Sequence, residues 1–236
     1  PWVFAGAIAR VEGDPQAGTE VQLVSDRDEF IARGLYNSNS NIRVRLYSWD
    51  ANFPVDESLY SQRLDSAISL RQNLLNWRQP QAACRMVNSE ADGLSGLTVD
   101  IYDEWLVVQL TSLALAQRQD SILALLKEKL SPRGIWLRTE KGIREAEGLE
   151  AADGLLEGEE PPRPLFITEN SVQYGLDLTR GQKTGFYLDQ RENRAAFAKY
   201  TSGRKVLDLF CYTGGFGLNA LVNGKATAVF GVDTSE

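Results

Sequence analysis

The stretch that most constrains the fold is VLDLFCYTGGFGLNA, which runs from Val206 to Ala220. A short apolar run that contains an acid is followed by a turn with glycines, and then by residues typical of a helix. The segment ATAVFGVD at 226–233 has the composition of a second buried strand. Strand, helix and strand at this spacing predict a βαβ unit of a doubly wound parallel sheet. Ligands of such sheets bind beyond the carboxyl ends of the strands.

Two acids favour a particular ligand for this unit. Asp208 lies before the glycines, where a pyrophosphate would gain nothing from a carboxylate, so a nicotinamide-dependent oxidoreductase is disfavoured. A carboxylate suits a cationic ligand instead, such as the sulfonium and amino group of S-adenosylmethionine. Asp233 lies 25 residues later, where it can accept both hydroxyls of a ribose. Either acid alone is equally well explained as a cap, but the two together favour a nucleotide site.

The charge of the chain is unevenly distributed. Its formal net charge is −7, yet residues 140–160 alone contain eight acids against Lys141 and Arg144, a local −6. The remainder is close to neutral, so the acidic sum does not exclude nucleic acid as a partner. We interpret the acidic run as an exposed, dispensable excursion.

Composition narrows the chemistry further. The 236 residues are enough for one to three domains and include no histidine, so the usual general base is excluded. Cys84 and Cys211 lack metal-ligand spacing, which predicts free thiols in a reducing cytoplasm and no metal site. No apolar run reaches the roughly 18 residues of a membrane span, so no membrane association is expected.

Periodicity divides the chain into zones of different character. Short strand-like segments at the start predict a small all-β module, and helical spacing of leucines then predicts a linker helix. Next come strands around one amphipathic helix at 112–130 and a hairpin that turns at Glu169-Asn170, which predict an α+β domain. The predicted bounds are 1–55 for the module, 56–78 for the linker helix, 79–178 for the central domain and 179–236 for the βαβ region.

Four motifs carry a resemblance to a known family. They are PWVFAGAI at 1–8, ADGLSGLTVDIY at 91–102, GQKTGFYLDQRENR at 181–194 and the glycine-containing stretch above. With them the whole chain resembles the RlmI-type 23S rRNA (cytosine-5-) methyltransferases, class I enzymes with an N-terminal PUA domain. The resemblance implies S-adenosyl-L-methionine as cofactor, large-subunit ribosomal RNA as partner and a cytoplasmic location. It also implies a PUA-like β-barrel, a central α+β domain and a Rossmann-like methyltransferase sheet; a homodimer stays open.

The resemblance also implies which residues meet the cofactor. Segment 181–194 is expected to cross the pocket, with Phe186 against the adenosyl or methionine moiety and Gln190 as a polar contact. Lys183 and Arg194 are expected at the cofactor carboxylate or at RNA phosphates, while core packing is the alternative for Phe186. The full predicted cofactor set is Phe186, Gln190, Arg194, Asp208, Phe210, Tyr212, Thr213, Gly214 and Asp233.

Basic residues of the first zone are the candidates for RNA. Arginines and lysines that neutralise phosphates give affinity without sequence specificity. The predicted RNA-binding set is Arg10, Arg33, Arg43, Arg45 and, from the later segment, Lys183. The alternative is that these arginines are merely scattered over the surface of a β module.

The chain departs from the family pattern in its catalytic motifs. Carbon 5 of cytosine needs a thiolate at carbon 6 before it accepts a methyl group. The family carries an Asp-Pro-Pro-type motif and a cysteine nucleophile further along, and this chain ends at Glu236 before either. We interpret Cys211 as a pocket-lining or structural thiol and Cys84 as a core residue. The sequence therefore predicts no catalytic residue and no activity for this chain alone; the alternative function is a non-catalytic RNA-binding module or scaffold.

Overall fold

The computed structural model describes residues 1–75, 77–150, 152–180 and 184–234. The three predicted zones follow one another in the predicted order, from an all-β start through a mixed sheet to a parallel βαβ unit. The predicted fold class is therefore confirmed. The predicted domain bounds stay a prediction.

The N-terminal sheet is antiparallel and four-stranded. Its strands stand in the spatial order β1-β4-β3-β2, and three of them match the segments predicted from alternating apolar residues. On the inner side Leu35, Val44 and Tyr47 are buried. The strands are β1 (Trp2–Phe4), β2 (Glu20–Val24), β3 (Phe30–Tyr36) and β4 (Ile42–Ser48).

Helix α1 (Glu57–Leu74) connects this sheet to the next one. Its N-cap is Asp56, whose carboxylate accepts the Leu59 N–H at 3.1 Å, the usual way of satisfying a first-turn amide. Residues at intervals of three or four are buried on one face, namely Leu59, Tyr60, Leu64, Ala67 and Ile68. Because these side chains belong to the main core, the predicted linker helix is a packed element.

A five-stranded mixed sheet follows, in the order β5-β6-β7-β8-β9. Only the β7–β8 pair is parallel, and the other neighbours are antiparallel. Helices between β7 and β8 supply the crossover that a parallel pair requires. The elements are β5 (Ala83–Asn88), β6 (Leu97–Tyr102), β7 (Trp105–Leu110), α2 (Leu113–Ala116), α3 (Gln119–Leu130), β8 (Gly134–Leu137) and β9 (Gly154–Gly158).

The prediction of a single helix over 112–130 is wrong, because the chain breaks between α2 and α3. The N-terminal module approaches here so closely that a Cβ on Gly18 would lie 1.6 Å from Gln117 Oε1. Arg118, at φ −107° and ψ 16°, leaves the helical region and donates to the Gly18 carbonyl at 3.0 Å. A contact about 100 residues away in the chain thus overrides local helix propensity.

The interpretation of residues 140–160 as an exposed excursion holds for most of the side chains but misses the secondary structure, and the dispensability of the run stays a prediction. This run forms α4 (Lys141–Glu147) and the edge strand β9, which pairs with β8. Glu147, the last residue of α4, is only 4% exposed. Glycine makes the edge pairing possible, since a Cβ on Gly134 would lie 1.9 Å from the Glu159 carbonyl oxygen.

The last part of the chain contains a hairpin and a parallel βαβ unit. The hairpin turns at Asn170 and Ser171, both at positive φ (51° and 62°), one residue later than predicted. Strands β12 and β13 are parallel, with Asp208 opposite Gly231, which confirms the predicted unit. The elements are β10 (Leu165–Glu169), β11 (Val172–Leu176), α5 (Arg191–Ala198), β12 (Lys205–Leu209), α6 (Gly215–Val222) and β13 (Ala228–Val232).

Among the helices of the described ranges, none is long and apolar enough to cross a membrane.

Candidate functional site

The glycine turn, residues 210–214, joins β12 to α6 in an unusual backbone conformation. Phe210, Tyr212 and Gly214 all have positive φ, at 61°, 48° and 71°. For the two aromatic residues this conformation costs on the order of 1–3 kcal/mol each, and such strain concentrates at binding and active sites. The Phe210 N–H bonds the Val232 carbonyl at 2.7 Å, so β13 holds the turn in place.

Asp208 reaches the first turn of α6 from the end of β12. Its Oδ2 accepts the Gly217 N–H at 3.0 Å. Asp208 thus caps the helix, which was the alternative to a ligand contact in the sequence analysis. The approach requires glycine, because a Cβ on Gly217 would lie 2.8 Å from Val229 Cγ1 and 3.3 Å from Asp208 Oδ2. The carboxylate is half-buried at the N-terminal end of α6, where the helix dipole favours negative charge.

Asp233 binds the backbone of the glycine turn from the end of β13. It follows directly on β13, and its Oδ2 accepts the Tyr212 N–H at 2.6 Å, a short charge-assisted hydrogen bond. The parallel register brings Asp208 and Asp233 to the same sheet edge. The structure thus assembles the two acids that the sequence singled out around one turn.

The segment after the hairpin passes next to the glycine turn. The Tyr212 hydroxyl donates to the Gly185 carbonyl at 3.1 Å, and the Tyr187 and Tyr212 rings meet edge to face at 5.7 Å. Gln190 lies further along, where it donates to Asp189 and accepts from Asn193. This placement agrees with a segment that borders the pocket, although Lys183 falls outside the described residues.

The remaining residues of the predicted cofactor set differ in exposure. The Phe210 ring is 85% exposed, while Thr213 and Gly214 are half-buried within the turn. An exposed aromatic ring beside a strained turn is available for contact with a ligand. The cofactor roles of these residues stay predictions.

Phe186 and Arg194 are both buried, which favours the core-packing alternative for Phe186, and their cofactor roles stay predictions. Phe186 is buried against Tyr174, with ring centroids 5.0 Å apart. Arg194 is 2% exposed and bonds both oxygens of Glu169, at 2.6 and 2.9 Å. A guanidinium already neutralised inside the protein has no free charge to offer a cofactor carboxylate or an RNA phosphate.

Glu169 is a residue that sequence reasoning missed. It stands at an inward position of LFITE, in phase with the buried Leu165 and Ile167. An acid on the apolar face of an alternating strand is costly unless it is paired. From this pattern the sequence could have predicted that a buried cation pairs with Glu169.

The predicted RNA-binding arginines of the first zone also differ in how far they are buried. Arg45 is buried, with NH2 3.0 Å from Glu147 and NH1 3.4 Å from Glu90, so its surroundings favour a structural ion pair, and its contact with RNA phosphate stays a prediction. Arg33 is largely buried and bonds Glu20 at 2.7 Å, which likewise satisfies its charge within the protein.

Arg10 and Arg43 remain near the surface, and they border one groove. The groove has a volume of about 390 Å³ and is lined by Ala5, Ile8, Ala9, Arg10, Val11, Tyr36 and Arg43. Arg43 lies over the Tyr36 ring at 5.9 Å, while Arg10 is exposed beside Glu12 and Asp28. Proteins that bind single-stranded nucleic acid commonly do so with cationic and aromatic groups around one groove.

The two thiols lie in different surroundings. Burial raises the pKa of Cys84 to about 11, so that thiol stays protonated at neutral pH. Cys211 is half-buried in the glycine turn, and a Cβ on Gly231 would lie 3.0 Å from its Sγ. The interpretation of Cys211 as a pocket-lining or structural thiol stays a prediction. Within the residues the structure describes, no group of three or more acids and cysteines is placed to hold a metal ion.

One face of the β12–β13 pair is apolar and open to solvent. Helix α6 covers the other face, where Val206 is buried. The open face consists of side chains that are more than half exposed, namely Leu207 at 62%, Leu209 at 56%, Phe230 at 61% and Val232 at 54%. Apolar surface of this kind marks an interaction site or an incompletely covered sheet.

Comparison with known proteins agrees with this architecture. Residues 1–49 match the model of a PUA-like domain, and residues 149–236 match that of an S-adenosylmethionine-dependent methyltransferase. The first match covers the N-terminal sheet, and the second covers the β10–β11 hairpin and the βαβ unit. The glycine turn and both acids of the site lie within the methyltransferase match.

The curated relatives of this chain are longer than it is. It is 40% identical over 237 residues to ribosomal RNA large subunit methyltransferase I of Photobacterium profundum, and 40% identical over 236 residues to the protein of that name in Aeromonas salmonicida. In each comparison the whole chain matches, and it spans 59% of the relative's length.

Solved structures show the same fold. A structure described as an S-adenosylmethionine-dependent methyltransferase from Streptococcus mutans superposes with a TM-score of 0.82 at 23% identity, over all of this chain and 59% of that one. A methyltransferase in complex with S-adenosylhomocysteine gives 0.83 at 23% identity, over all of this chain and 58% of that one.

Proposed function

We propose that this chain is the part of an S-adenosylmethionine-dependent methyltransferase that carries the cofactor's glycine turn, in a protein that forms 5-methylcytosine in large-subunit ribosomal RNA. The observation that carries the proposal is the pairing of Asp208 and Asp233 at one sheet edge around a turn with three positive φ angles. The names of the relatives support ribosomal RNA as the substrate. The cytosine-5 position rests on the resemblance of the sequence motifs.

The residues at this edge fit the chemistry of the cofactor. A half-buried Asp208 at the N-terminal end of α6 suits the cofactor's cationic amino group, and Asp233 suits ribose hydroxyls. The exposed Phe210 ring offers an apolar surface to an adenosyl group. When bound, S-adenosylmethionine supplies an electrophilic methyl group; the chain's own contribution is to bind and orient it.

We infer that RNA meets the PUA-like domain at the groove between Arg10 and Arg43. Tyr36 and Ile8 line the same groove and offer apolar contact to a base. Of the five predicted RNA-binding residues, these two arginines are the described ones whose guanidinium groups remain near the surface around one concavity. Binding of RNA here without any cofactor affinity would instead favour the alternative function, a non-catalytic RNA-binding scaffold.

We also infer that the 236-residue chain by itself does not transfer methyl groups. The open apolar face of β12–β13 supports this inference, because a doubly wound sheet is normally covered on both faces. A cofactor crevice at the edge of so small a sheet lacks one wall.

The cofactor site predicts the effect of removing Asp233. In a version extended to a complete methyltransferase domain, Asp233→Ala should weaken S-adenosylmethionine binding by about 1.5–3 kcal/mol, roughly 10- to 150-fold in Kd, since a charge-assisted contact to the ribose is lost. Isothermal titration calorimetry measures the change. Asp233→Asn keeps an acceptor for the Tyr212 N–H, so it separates ribose binding from the integrity of the turn.

A matched control is Glu192→Ala, which removes an exposed acid from α5. That variant should bind with the affinity of the parent. Equal affinity of Asp233→Ala and the parent would remove Asp233 from the site and with it the main support for the proposed function.

A further inference from the structure

A buried polar cluster connects the β10–β11 hairpin to the first turn of α6. We call it the brace; it consists of Glu169, Tyr174, Arg194 and Asn219. All four side chains are polar and three of them are ionisable, yet all four are buried. Burying such groups is costly unless every hydrogen bond is made, so their arrangement calls for an explanation.

The charged half of the brace is an ion pair with fork geometry. Arg194 Nε lies 2.6 Å from Glu169 Oε1, and Arg194 NH2 lies 2.9 Å from Glu169 Oε2. The same NH2 donates to the Tyr187 carbonyl at 3.0 Å. Arg194 on α5 therefore fixes both the hairpin and the segment that borders the glycine turn.

The neutral half of the brace binds the carbonyl group of Gly215, directly after the glycine turn. Asn219 Nδ2 donates to the Tyr174 hydroxyl at 2.7 Å and to the Gly215 carbonyl at 3.0 Å. The Tyr174 hydroxyl in turn donates to the Gly215 carbonyl at 3.4 Å. Burial raises the pKa of Tyr174 to about 12, so this hydroxyl keeps its proton and remains a donor.

Gly215 is where the two halves meet. It is the first residue of α6 and directly follows Gly214, the end of the glycine turn. A Cβ at Gly215 would lie 3.0 Å from Arg194 Cδ. The Arg194 stem thus packs on the backbone that sets where the turn stands.

We propose that Glu169 and Arg194 are positioning residues that hold the glycine turn in its ligand-binding geometry from beneath. This rests on the proposed function, because it assigns the brace to the same cofactor site. Arg194 acts through Gly215 and the Tyr187 carbonyl, without contact with the cofactor. The brace makes the hairpin, which lies outside the βαβ unit, a part of the cofactor machinery.

A double-mutant cycle separates positioning from direct binding. The variants are Glu169→Gln, Arg194→Met and the double variant, each made in the 236-residue chain. Hydrogen exchange of the Gly217 and Leu218 amides is measured, because these amides are held by Asp208 and by the Gly214 carbonyl at the start of α6. Each single variant should raise their exchange by about tenfold or more, and the double variant should add little, since the pair acts as one unit.

Two further variants guard against a general loss of folding. Tyr174→Phe removes only a hydroxyl and should raise exchange of the same amides by a smaller factor. Glu192→Gln, on the exposed side of α5, should leave exchange unchanged. Exchange in β6 and β7 should stay at the parent level in the Tyr174→Phe chain.

The cofactor arm uses S-adenosylhomocysteine and a version extended to a complete methyltransferase domain. Both single variants should lose affinity to a similar degree. If Arg194→Met loses affinity and Glu169→Gln does not, Arg194 is a direct ligand and the proposal is overturned. Unchanged amide exchange in every variant would overturn it as well. Raised exchange with no S-adenosylhomocysteine binding even by the parent would instead refute the proposed function and leave the brace in place.

Discussion

Replacing Glu147 by alanine should lower the free energy of unfolding by about 3–5 kcal/mol, the usual effect of removing one partner from a buried ion pair. Arg45 is buried beside Glu147 at 3.0 Å and would keep the longer ion pair with Glu90 at 3.4 Å and neutral contacts to Ser95 and Thr111 at 3.3 Å. Ser40 and Asn37 would also lose an acceptor, at 2.7 and 3.1 Å. Urea unfolding followed by tryptophan fluorescence measures the change.

The same helix offers the control for this experiment. Glu145 lies two residues earlier, with a side chain 69% exposed in a loose pair with Lys141. Glu145→Ala should change stability by less than about 0.5 kcal/mol, as expected for a surface ion pair. Equal unfolding midpoints for the two variants would show that the Glu147 cluster contributes nothing to stability.

The 236-residue chain should transfer no methyl group from S-adenosylmethionine to ribosomal RNA, whereas a version extended to a complete domain should do so. The physical reason is the open face of β12–β13, where no side chain of the described residues covers more than about half of Leu207, Leu209, Phe230 or Val232. A cofactor bound beside only two strands would be exposed to water on one side, and water would weaken every polar contact to it. Radiolabelled methyl transfer to unmodified large-subunit RNA is the assay.

This experiment needs a control for folding and one for RNA. The far-ultraviolet circular dichroism of the short chain should show a folded protein, and Arg10→Ala with Arg43→Ala should lower its affinity for single-stranded RNA. Turnover by the short chain at the rate of the long one would contradict the prediction. It would also reopen the question of Cys211, the half-buried thiol of the glycine turn, as a nucleophile.

The parts of this fold that the sequence predicted are those with local signals. The βαβ unit follows from a buried strand, a glycine turn and a second strand within 30 residues, and the hairpin follows from alternation in LFITE. Both acids of the site were found because each lies at or just past the carboxyl end of a strand, and topology fixes where these ends lie in a parallel sheet.

The parts that could not be predicted depend on distant partners. Arg45 is neutralised by an acid 102 residues away, and Arg194 by one 25 residues away. The residues that neighbour an arginine in the sequence do not show whether it faces water or a buried carboxylate. For this reason Arg45 and Arg194 were both predicted to bind ligands, and Glu147 was predicted to lie in an exposed run.

Helix α1 finally has a mechanical consequence for the first half of the chain. Five of its side chains are buried in the main core together with Leu35 and Tyr47 of the N-terminal sheet. The N-terminal sheet and the five-stranded sheet therefore share one apolar core and should move as a single body. If RNA binds at the groove bordered by Arg10 and Arg43, as proposed above, it would bind to a rigid platform and not to a tethered module.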